Sequence, residues 1–71
     1  MDNSSISHAA STYGVEITSD ITFDEANHVW KFKGVNYKNA ESTQRDYVAF
    51  REDGYSGIRI RQVRQRIAVG L

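Results

Sequence analysis

The sequence predicts an α+β domain: a three-stranded antiparallel meander followed by two C-terminal helices. Three observations lead there. Residues 15–23 alternate apolar and polar side chains with a period of two. Two further short runs of the same kind, 28–33 and 35–38, follow after turn-length gaps. Beyond residue 39 the apolar residues recur at helical intervals.

The elements follow in chain order. Residues 1–13 are rich in serine and small residues without a period, which reads as a disordered N-terminal arm, leaving 14–71 as one small domain. In 15–23, Val15, Ile17, Ile21 and Phe23 share one face, and Glu16, Thr18, Asp20 and Thr22 share the other. β-branched residues dominate the run, so it reads as a half-buried strand that only Ser19 interrupts. Residues 24–27 read as a turn in which Asn27 is able to take positive φ. In the next strand Trp30 and Phe32 point one way, Lys31 and Lys33 the other. Gly34 then turns the chain into a third strand, with Val35 and Tyr37 inward.

A helix is expected over 40–53, with Asn39 as its N-cap, Glu41 in the first turn and Gly54 past its end. Its buried stripe would be Ala40, Tyr47, Val48 and Phe50. The last segment has two readings. As a helix over 57–69, Ile60, Val63, Ile67 and Leu71 fall within about 80° of arc. As a strand over 58–63, Ile58 and Ile60 alternate with Arg59 and Arg61, but parity breaks at Val63. The helical stripe covers more residues and is preferred; a fourth strand is the alternative. The expected core sets Ile17, Ile21, Trp30 and Tyr37 of the sheet against Tyr47, Phe50, Ile60 and Val63.

At 71 residues the chain has room for one core and marginal stability. It has no cysteine, so neither a disulfide nor a thiolate metal site adds to that stability. It shows no basic-then-apolar leader and no apolar run long enough to span a bilayer, which suggests a cytoplasmic protein without membrane contact.

Net charge is zero, yet the charge is segregated. Residues 1–30 carry five acids and no Lys or Arg, whereas 54–71 carry Arg59, Arg61, Arg64 and Arg66 and no acid. Arginine and glutamine are the side chains that hydrogen-bond base edges in a bidentate manner, and arginine also matches phosphate geometry. The expected contact surface is therefore Arg59, Arg61, Gln62, Gln65 and Arg66, with Arg45 and Lys38 adding charge. That surface suits DNA or RNA. The alternative is a protein-interaction module, in which opposed acidic and basic faces meet in a homodimer or on an acidic partner protein. The helix–turn–helix outline of the last third has Phe50 where a tight helix crossing wants a small residue, so no family is assigned.

Nothing in the sequence points to catalysis, a cofactor or a metal. There is no nucleophile elbow and no phosphate-binding glycine loop, and His8 and His28 sit at no ligand spacing. The expectation is a non-enzymatic protein. Trp30, Phe32 and Tyr37 read as core aromatics rather than as a stacking platform, since Lys31 and Lys33 lie on the opposite face from Trp30.

Overall fold

A computed structural model describes residues 2–39, 43–51 and 57–64. The chain is an α+β domain of one N-terminal helix followed by an antiparallel five-stranded sheet. Helix α1 spans Asn3–Thr12; the strands are β1 (Val15–Ile17), β2 (Thr22–Asp24), β3 (Val29–Asn36), β4 (Gln44–Arg51) and β5 (Ile58–Gln62). β3 is central: β1 and β2 pair in tandem along one side of it, β4 pairs with the other, and β5 pairs with β4. No helix among the described residues is long and apolar enough to cross a membrane.

Asn3–Thr12, expected as part of a disordered arm, is a helix. Ten residues are too few to hold a helix in water unaided, so its stability comes from packing. Asp2 caps it: the Ser5 N–H donates to Asp2 Oδ1 at 2.8 Å, which also lowers the Asp2 carboxyl pKa. Ile6 and Ala10, one turn apart, are fully buried against Val15, Phe32, Tyr47 and Ala49. Gly14 ends the helix at φ 85°, a conformation that suits glycine.

The alternation in 15–23 marks one edge of the sheet, in two pieces. From Ile17↔Gly34 to Thr22↔Lys31 this edge advances five residues while β3 advances three. Two extra residues are therefore looped out, with Ser19 Oγ accepting the Lys33 N–H at 2.7 Å where a strand carbonyl would otherwise sit. A two-residue excess preserves parity, so Val15, Ile17, Ile21 and Phe23 keep one face across the break.

Gly34 does not turn the chain. It lies inside β3, which runs unbroken through both strands expected there. Val35 consequently shares the face of Lys31 and Lys33, and Tyr37, in a 3-10 turn, is 53% exposed; neither points into the core as expected. In the β2–β3 turn positive φ falls on His28, at 55°, and not on Asn27.

Asn27 instead supports Asp24. Its side-chain amide donates to Asp24 Oδ2 at 2.9 Å, and Lys31 Nζ lies 3.2 Å from the same oxygen. The Asn27 bond first and Lys31 second hold the Asp24 carboxyl at about 2, below its ordinary 3.8. A depressed folded pKa means that the turn's contribution is complete above the unfolded value and is lost as pH falls from near 4 through about 2. In carboxyl-detected NMR, Asp24 should titrate near pH 2, and in Asn27→Ala its midpoint should rise towards the ordinary value.

The two expected C-terminal helices are strands. Residues 44–51, within the expected 40–53 helix, form β4, and 58–62, within the expected 57–69 helix, form β5. The alternative of a strand in the last segment is the arrangement found for Ile58–Gln62. Residues 40–42, 52–56 and 65–71 lie outside the described residues, and with them Ala40, Glu41, Gly54, Ile67 and Leu71 of the helical readings. Tyr47, Val48 and Phe50 do not share a stripe. Tyr47 and Ala49 face α1; Val48 and Phe50 face the other way. Val63, expected in the core, is 39% exposed. Ladder pairing on both sides of β4 outweighs the helical spacing of its apolar residues.

Candidate binding surface

α1 covers one face of the sheet and leaves the other uncovered by any described element. Residues directly opposite in an antiparallel ladder share a face, so the register names the occupants of the uncovered side. One cross-strand row reads Thr22, Lys31, Val48, Arg61. The neighbouring rows add Lys33 beside Asp46, and Phe50 beside Arg59. Lys31 and Arg61 are thus two strand spacings apart, about 10 Å, with Val48 between them.

Arg61 is held in place. Its guanidinium carbon lies 5.4 Å from the centroid of the half-buried Phe50 ring, a cation–π contact. Lys31 is steadied by Asp24 from the adjacent edge. Around this row runs an open groove of about 920 Å³, walled by Asn27, Val29, Lys31, Val48, Arg61, Gln62, Val63 and Arg64. Every charged residue in that wall is basic. An open groove whose charged side chains are all basic carries a positive potential over the apolar surface of Val29 and Val48.

The residues expected at the contact surface divide into four groups. Arg59 and Arg61 stand on the uncovered face. Gln62 and Arg45 belong by register to the face that carries Tyr47, although Gln62 also reaches the groove wall from the strand end. Lys38 is elsewhere: its Nζ donates to the Thr12 carbonyl at 3.2 Å, at the C-terminal end of α1, where a cation is favourable. Gln65 and Arg66 lie outside the described residues.

Sequence reasoning grouped Arg64 with these arginines but left it out of the contact surface, and it missed Lys31 and Lys33 as their neighbours. The signal for the two lysines was present, in their alternation with Trp30 and Phe32. What it lacked was the β3–β4–β5 register that carries their face across to Arg61. Among the described residues no group of three His, Asp or Glu side chains is placed to hold a metal ion. Comparison with protein-family models, curated proteins and solved structures gives no match.

Proposed function

We propose that this is a small non-enzymatic nucleic-acid-binding protein that seats a DNA or RNA backbone on the uncovered face of β3, β4 and β5. The observation that carries the reading is the groove whose charged wall residues, Lys31, Arg61 and Arg64, are all basic. Phosphate contacts of this kind set affinity and orientation, while Gln62 at the groove margin is suited to a base edge.

Binding of a fluorescein-labelled 20-mer, duplex and single-stranded, is the test, read by anisotropy across a salt series. Affinity should fall steeply with salt. Arg61→Ala and Arg64→Ala should each weaken binding to all sequences alike and reduce the logarithmic salt slope by about one unit. Lys38→Ala, at the end of α1, should leave both unchanged. A salt-independent affinity, or an Arg61 variant that binds like the parent, refutes the proposal. A second reading, as a protein-interaction module, is favoured by a separate observation: the two edges of the sheet carry opposite charge.

A further inference from the structure

The sheet has two open edges among the described residues, and they are chemically unlike. At β5 the Val63 N–H donates to the Asp46 carbonyl at 2.8 Å. Main-chain groups alternate in direction along a strand, so those of Arg59 and Arg61 also point to β4, while those of Ile58, Ile60 and Gln62 point outwards. At the opposite edge the Thr18 N–H donates to the Lys33 carbonyl and the Tyr37 N–H to the Gly14 carbonyl. By the same alternation, the main-chain groups of Val15 and Ile17 point outwards from β1.

Side chains distinguish the two edges further. β5 is basic on the uncovered face, through Arg59 and Arg61, and apolar on the helix side, through the half-buried Ile58 and Ile60. β1 carries Glu16 on the uncovered face and Val15 with the half-buried Ile17 on the helix side. Asp24 of β2 adds a second acid to that edge. The strand that fits β5 therefore alternates acidic and apolar residues, and β1 of another copy is such a strand. Pairing β5 with a second β5 would instead set arginine beside arginine.

We infer that copies of this chain associate head to tail, with β5 of one molecule adding to β1 of the next. The sheet then continues from copy to copy. Glu16 comes to the arginines of β5 on one face, and Ile17 comes to Ile58 and Ile60 on the other. Such a contact is heterologous and propagates, giving rings or filaments according to the rotation between copies. It is short, because β1 has three residues before the chain loops out at 18–21, so it forms at high concentration and dissolves in salt. The inference does not depend on nucleic-acid binding.

Sedimentation equilibrium of the full chain from micromolar to millimolar concentration, at low and high salt, tests it. The parent should associate at low salt and dissociate at high salt. Glu16→Arg makes β1 and β5 both basic, and the double variant Arg59→Glu/Arg61→Glu makes them both acidic. Each variant alone should lose association by roughly ten-fold or more. Mixed in equal amounts, the two should associate again, because contacts between unlike variants pair opposite charges. Gln62→Pro removes an outward N–H and spares the β4 ladder; it should also lower association, with an unchanged circular dichroism spectrum showing that the chain is still folded. A parent that stays monomeric throughout, or a mixture that fails to recover association while both variants remain folded, overturns the inference.

Discussion

Ile6→Ala is expected to bring this domain close to unfolding. Ile6 is fully buried and is the largest side chain α1 places against the sheet. Removing its outer carbons leaves a cavity beneath Val15, Phe32 and Tyr47, at a cost of about 2–5 kcal/mol. A chain of 71 residues has a total stability of roughly 4–10 kcal/mol at the usual value per residue. The substitution therefore removes a large fraction of what is available. Thermal unfolding followed by circular dichroism should show a midpoint lowered by about 10 °C or more. Ile6→Val, which keeps the branch at Cβ, should cost about 0.5–1.5 kcal/mol. Were the alanine variant to melt with the parent, α1 would not be part of the cooperative core. Detaching α1 would expose the whole helix-side face of the sheet, so the loss should also appear as concentration-dependent aggregation.

Gly34→Ala is expected to be the most damaging single-methyl change in the sheet. A Cβ at Gly34 would lie 2.7 Å from Val15 Cγ1 and 2.8 Å from the Glu16 carbonyl oxygen. The second contact is with backbone, which cannot rotate aside, so β1 must move away from β3 or the strand must bend. Overpacking of this kind costs about 1–3 kcal/mol. Gly57→Ala is the matched control, because a Cβ there meets nothing within 4 Å. Urea unfolding should place the Gly34 variant well below the parent and the Gly57 variant at or slightly above it, since alanine also restricts the unfolded chain. Equal midpoints for the two variants would mean that β1 does not pack as closely on β3 as the structure shows. Because β1 supplies the acidic edge, the Gly34 variant should also lose head-to-tail association.

The parts of the fold legible in the sequence were those in which one face is apolar and the other polar. Val15, Ile17, Ile21 and Phe23 declare a face, as do Trp30 and Phe32 opposite Lys31 and Lys33, and the structure keeps each set together. β4 gave no such signal. Val48 and Phe50 are apolar on the uncovered face while Tyr47 and Ala49 are apolar on the helix side, so the run lacks the period of two that marks a strand. α1 was obscured for a different reason: its buried surface is one isoleucine and one alanine within a serine-rich stretch, too little to mark a stripe. At the binding surface, Arg59 and Arg61 were legible from composition, whereas their association with Lys31 and Lys33 depends on the order of strands.

The sequence by itself determined the segregation of charge, the marginal size, and the facing of side chains in β1, β2 and residues 30–33 of β3, since each of these is a property of neighbours along the chain. Tertiary structure alone decided that 3–12 is helical and that 44–51 and 58–62 are strands. A ten-residue helix is stable only when docked, and β4 is a strand because β3 and β5 complete its hydrogen bonds from both sides. Tertiary structure also separated Lys38 and Arg45 from Arg59 and Arg61. Side chains distant in sequence share a surface only when the ladder between them sets their parity, and no local pattern contains that register.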